Sequence, residues 1–220
     1  LKQTFDSLGA TQLNKARLDH LASLGLDLEC RSVLEPGAGV GHLTHFWEER
    51  KCEIVSTDVS LNNVKTHLDR HPHRSVYLAD LDQWGEHKGC GRFNIVFLYG
   101  TLYHLARPAQ AIAELAPLCD LFLLETCVYH KDDGELHSYT QWPGLDQGPS
   151  GIAYVPARNW IMRELGKHLE HVYCTRTQPD SVEFPRSWPG PSTHLTRSVF
   201  VASRDRLDLP TLTKKLPRKQ

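Results

Sequence analysis

The sequence predicts an α/β protein: a doubly wound sheet of five parallel βα units, closed by a terminal antiparallel strand pair and covered by a lid segment. Three observations predict it. Short β-type runs end at residues 35, 58, 80, 99 and 125. A strand, a turn, a helix of about ten residues and a return turn fill roughly the 19 to 26 residues between those ends. Two of the runs, IVFL at 95–98 and LFLL at 121–124, are apolar on both pleat faces, as a sheet covered by helices on both sides requires.

The elements follow in order. Gln12–Leu24 carries leucines at 13, 18, 21 and 24, a helical stripe ahead of the first strand. The five runs are Ser32–Glu35, Glu53–Asp58, Ser75–Asp80, Phe93–Tyr99 and Leu121–Glu125. Between them His42–Arg50 and Leu61–Arg70 are amphipathic, and Ala109–Leu118 follows Pro108, a helix-start signal, with Pro117 ending it early. Residues 127–156 break the beat with Gly, Pro, His, Tyr and Trp and read as irregular. Ala157–His168 reads as helix, and Glu170–Thr175 and Leu195–Ala202 read as the closing strands, joined by the proline-rich link Arg176–His194. We expect one domain over 1–206, with 1–28 as a helical cover, 127–156 and 176–194 as loops on the ligand side, and 207–220 as a tail.

Composition removes several classes of function. Lysine and arginine number 25 against 26 acids, a formal net charge of −1, so no clustered cationic field is available to hold nucleic acid. The basic end, KKLPRKQ after Thr213, reads as a solvated tail. No apolar stretch approaches the ~20 residues of a membrane span. The start, LKQTFDSLGA, has no cationic-then-apolar leader and, lacking Met, reads as a trimmed end. The six cysteines form no C-x-x-C pair, which argues against structural zinc and for reduced thiols in the cytoplasm.

The first run leads directly into Glu35-Pro36-Gly37-Ala38-Gly39-Val40-Gly41. Ligands of such sheets bind outside the carboxyl ends of the strands, where glycine lets the backbone turn and approach without a Cβ in the way. A dinucleotide turn needs Gly or Ala where this chain has His42, so a nicotinamide cofactor is disfavoured. Asp58, ending the second run, can accept two hydrogen bonds from a ribose diol. Asp80 with Leu81, ending the third, can read an adenine edge. Three carboxylates around the turn repel phosphate and welcome a cation.

With these residues together, the chain resembles the class I S-adenosylmethionine-dependent methyltransferases, whose first motif has an acid preceding G-x-G-x-G. The resemblance covers about residues 10–125 by motif. It implies a Rossmann-like, seven-stranded sheet, S-adenosyl-L-methionine as cofactor, S-adenosyl-L-homocysteine as product, and a cofactor site of Glu35, Gly37, Gly39, Gly41, Asp58, Asp80, Leu81 and Tyr99. In this family the acceptor zone follows the fourth strand, here Tyr99–Leu105.

Within that zone His104 is the candidate general base, since an unperturbed imidazole titrates near 6.5, and Tyr103 a candidate holder of the acceptor. The loops at 127–156 and 176–194 carry Tyr129, Tyr139, Trp142, Tyr154, Phe184 and Trp188, which suit a flat, ring-bearing small-molecule acceptor. Arg186, His194 and Arg197 are candidates for an acidic group on it. The segment His130–His137 has metal-type side chains but also an Asp-Gly turn signal; we expect a turn and no metal. The alternatives are a methyltransferase acting on tRNA and a methyltransferase-like binding subunit without turnover.

Overall fold

The structure is a computed structural model, and it describes residues 4–86, 91–140, 151–191 and 196–218. Helix α1 (Leu8–Ser23) is started by Ser7, whose hydroxyl accepts from the Ala10 amide. The main sheet then builds from β1 (Ser32–Pro36), β2 (Glu53–Asp58), β3 (Ser75–Leu78), β4 (Phe93–Tyr99), β5 (Cys119–Val128), β8 (His171–Thr175), β9 (Thr196–Ser203) and β10 (Leu212–Thr213). Helices α2 (His45–Glu48), α3 (Leu61–Arg70), α4 (Pro108–Leu115) and α5 (Arg158–Leu165) alternate with them, and β6 (Leu136–Thr140) pairs with β7 (Ile152–Pro156) in a separate antiparallel ribbon.

Spatial order in the sheet is β10-β8-β9-β5-β4-β1-β2-β3. The first five strands are mutually parallel. β9 runs antiparallel to both β5 and β8. The five parallel strands and the closing antiparallel pair are therefore as predicted, but a 3-10 turn, Leu81–Glu86, follows β3 where a helix was expected, and among the described residues the sheet has eight strands and not seven. The extra one, β10, lies antiparallel on β8 in the stretch read as the beginning of a tail. Leu212 is buried, and the Thr211 hydroxyl donates to the Leu24 carbonyl at 2.6 Å. β10 spans only two residues, too few for a periodicity to announce it.

Each face of the sheet has its own core. One gathers Leu98, Phe122, Leu124 and Phe200 with α4 and α5; the other gathers Phe97, Tyr99, Leu123 and Val201 with Leu18, Leu21 and Leu24 of α1 and Trp47 of α2. Consecutive residues of β4 and β5 thus serve opposite cores, the reason both runs are apolar throughout. Two expectations need adjustment. β5 runs on to Val128, paired throughout with β9, and the stretch read as irregular contains the β6–β7 ribbon. Its strands, LHSYT and IAYVP, show no apolar–polar alternation that would announce them.

Candidate active site

The glycine turn leaves β1 with all three glycines in the left-handed region, at φ +70°, +58° and +85°, where an L side chain is strained. A Cβ on Gly37 would lie 2.4 Å from the Thr101 side chain, and one on Gly41 2.3 Å from the His67 ring. The chain's own packing therefore demands those two glycines, a reason additional to close passage of a ligand. Gly39 differs: the nearest atoms to a Cβ there belong to Phe5, at 3.1 Å, in the short turn Thr4–Asp6 that precedes α1. That turn is tied down by Asp6, which contacts His42 Nε2 at 2.7 Å and Arg70 Nη2 at 2.8 Å. His42 thus turns outward to Asp6.

The acids divide by role. Asp58 braces the turn directly: Oδ2 accepts from the Gly39 amide at 2.9 Å, and Oδ1 accepts from the Ser60 amide and the Asn63 side chain. Glu35 lies beneath. It is buried, its Oε2 accepts from the Thr44 and Ser56 hydroxyls at 2.7 and 2.8 Å, and its Oε1 has no hydrogen-bond partner among the described residues. Burial pushes its carboxyl up to about 7. Asp80 accepts from the Asp82 amide and the Gln83 side chain, capping the turn Leu81–Glu86, while the Leu81 side chain is buried in the core. Arg74, absent from the sequence reading, holds the far end: it donates to the Gly41 carbonyl at 3.0 Å and grips Glu48 with two more bonds.

At the end of β4, the Tyr99 ring packs at 4.2 Å on Phe97 and its hydroxyl is buried without a hydrogen-bond partner among the described residues. Gly100, at φ +75°, redirects the chain, and Leu102–His104 forms a 3-10 turn. The rings of Tyr103 and His104 lie 3.9 Å apart. The Tyr103 hydroxyl accepts from Arg197 Nη2 at 3.2 Å, and burial pushes this phenol up to about 12. Arg197 is committed further: to Glu183 at 2.5 Å and to Glu125 Oε1 at 3.2 Å. Glu125, fully buried on β5, also faces Arg17 of α1 at 2.8 Å. Arg17, Glu125 and Glu183 were not among the sequence candidates; single charged residues far apart in the chain carry no local motif.

The loops that should face the acceptor contribute less aromatic surface than expected. Phe184 is buried in the core, and Trp188 lies under the Arg158 guanidinium, 3.7 Å from its ring centre. Tyr129 stacks on His137 at 3.6 Å. The side chain of Tyr139, together with Trp142 and His194, falls outside the described residues. Arg186 pairs with Asp180 at the surface. In the His130–His137 segment, Asp132 accepts two bonds from Arg158 and Asp133 contacts His137. The 176–191 stretch nevertheless reaches the acceptor zone, through Glu183.

Residues 34–119 match the sequence profile of a family described as Methyltransferase domain. Over 70 residues the chain is 31% identical to the malonyl-[acyl-carrier protein] O-methyltransferase of Salmonella typhimurium, a stretch covering 32% of this chain and only 28% of that enzyme. Among solved structures, the N-terminal domain of EvdMO1 in the presence of SAH and D-fucose superposes with a TM-score of 0.65, at 18% identity over 90% of this chain and 84% of that one. Magnesium protoporphyrin IX methyltransferase from Synechocystis PCC 6803 with bound SAH gives 0.58, at 18% identity over the same shares of the two chains. At these identities the structural likeness establishes the fold. Motif, profile and fold point the same way: residues 34–119 match a methyltransferase domain, and the chain has the fold of methyltransferases crystallised with S-adenosylhomocysteine.

Proposed function

We propose that the chain transfers a methyl group from S-adenosyl-L-methionine to an oxygen or nitrogen atom of a small-molecule acceptor, leaving S-adenosyl-L-homocysteine. The observation that carries this reading is the meeting of the glycine turn, Asp58 and the Tyr99–His104 segment at the carboxyl ends of the adjacent strands β2, β1 and β4. The residues fit such a cofactor. At Gly39 a side chain would meet the aromatic ring closing over the turn. The Thr101 hydroxyl lies within 3.5 Å of three main-chain carbonyls, those of Pro36, Gly37 and Tyr99. Three carbonyl oxygens gathered at the strand ends make an electronegative corner suited to a cation.

Gly37, Gly39, Gly41, Asp58, Asp80, Leu81 and Tyr99 would hold the cofactor, with Glu35 bracing the turn from below. When bound, it supplies an electrophilic methyl group on a sulfonium. The protein's part is alignment, worth roughly 7–11 kcal/mol in well-oriented systems, and proton removal, worth about 10²–10⁴ in rate. His104 takes the proton from the acceptor O–H or N–H. Tyr103, kept protonated by burial, serves as a holding group, and Arg197 fixes its hydroxyl. Near-neutral charge supports a small acceptor over nucleic acid, and the buried thiols of Cys119, Cys127 and Cys174 support a reducing, cytoplasmic setting.

Labelled S-adenosylmethionine incubated with fractionated metabolites and the native chain should yield a labelled small molecule. His104→Ala should slow that transfer at least tenfold with cofactor affinity nearly unchanged. Label recovered only on RNA would overturn the acceptor class, and undiminished turnover would remove His104 from the mechanism.

A further inference from the structure

We propose that Cys30 and Cys52 are an oxidisable thiol pair, bridged within the chain by exchange with a glutathione-type disulfide, and that the bridge closes the loop carrying the glycine turn. Cys30 lies in the turn before β1, and Cys52 immediately precedes β2. Parallel pairing sets the two strand starts side by side, with Ser32 opposite Glu53. The contact continues outward from there. The Glu53 amide donates to the Arg31 carbonyl and the Cys30 amide to the Arg50 carbonyl, each at 2.9 Å.

The Cys52 thiol folds into the same corner. Its Sγ donates to the Leu28 carbonyl at 3.1 Å and lies 3.8 Å from the Arg50 carbonyl oxygen. One oxygen, that of Arg50, is thus shared by the Cys30 amide and the Cys52 sulfur. This gathers the two residues at the scale a disulfide spans, with Cα atoms about 4.4–6.8 Å apart.

Access sets the order of events. Cys30 is exposed and Cys52 half-buried, whereas Cys119, Cys127 and Cys174 are buried. Cys30 therefore meets the oxidant first. Its thiolate attacks one sulfur of the disulfide, giving a mixed disulfide and releasing one thiolate, which takes a proton from solvent. The Cys52 thiol gives its proton to solvent, attacks the Cys30 sulfur and expels the second thiolate, which is protonated in turn. Two protein thiols lose two electrons, and one disulfide is reduced to two thiols. Burial foremost, with Glu29 and Cys30 acting in the same direction, pushes the Cys52 thiol up, so the second step quickens in mild alkali.

The loop closed in this way contains β1, the glycine turn and α2. Both cysteines stand at the amino ends of parallel strands, across the sheet from the turn they enclose. The bridge acts on chain freedom, because a closed loop has fewer unfolded conformations to reach.

The test incubates the native chain with glutathione disulfide in mild alkali and maps its peptides without reduction. We expect a peptide pair joined through Cys30 and Cys52, two thiols lost per chain, and a melting temperature several degrees above that of the reduced chain. Cys52→Ser should stop at one glutathione on Cys30, and Cys30→Ser should form no bridge. A native chain that stops at glutathione on Cys30, that joins Cys30 to Cys90 or to a second chain, or that remains unmodified would overturn the pairing. A bridged chain that melts with the reduced one would overturn the effect on the loop.

Discussion

Glu35 stands under the glycine turn with two hydroxyls on one oxygen and nothing on the other. In the unfolded chain it ionises near 4.5, whereas in the folded chain burial moves it to about 7. Between those values the folded state holds the extra proton, so the stability it confers is complete below about pH 4.5 and drains away as pH rises to 7. Above pH 7 the buried carboxylate costs on the order of 3 kcal/mol. Glu35→Gln, which keeps an acceptor for Thr44 and Ser56, should therefore gain stability over the native chain as pH rises from 5 to 8. Melting temperatures across that range check it, and parallel profiles would refute it. His67 works in the opposite direction: its Nε2 faces Arg74 at 3.1 Å, and burial lowers it to about 4, so its contribution is complete above about pH 6.5 and fails in acid. At this scale the sequence was partly legible. Glu35, Asp58 and Asp80 stand out in the sequence because each closes a β-type run, within two residues of the ends of β1, β2 and β3, but the hydroxyls that engage Glu35 and the Gly39 amide that engages Asp58 arise only when neighbouring strands pair.

Elements were legible where their period was long. β2, α3 and β4 fall where predicted because six to ten residues suffice to display alternation or a helical stripe. α2 is shorter than the predicted His42–Arg50 because the turn geometry continues past Gly41, and Arg74 and His67 hold Gly41 from the side. β10 shows the limit. Its two residues carry no pattern, yet Leu212 is buried and Leu207 and Leu209 pack on the core around α1. Each fully buried leucine is worth about 1.5–3 kcal/mol. Deleting residues 207–220 should accordingly lower unfolding free energy by several kcal/mol in urea titrations. A truncated chain as stable as the full one would show this segment to be an appendage.

At the scale of the whole molecule, α1 joins the site to the fold. Its leucines form part of one core, its preceding turn brings Phe5 against Gly39, and its Arg17 reaches Glu125 and the end of β4. The sequence showed α1 as a cover by its leucine stripe. Its polar contacts could not be read, since Arg17, Glu125, Glu183 and Arg197 meet only after the strands take their places. The sheet order places Asp58, the glycine turn and the β4 end side by side, and the central claim is that this junction binds an adenosyl amino acid. Isothermal titration of the native chain with S-adenosylhomocysteine, with NAD in parallel, tests it most directly. The account predicts a single site of micromolar-range affinity for the former and no heat from the latter. A folded chain that takes up NAD, or that shows no binding of S-adenosylhomocysteine, would contradict it.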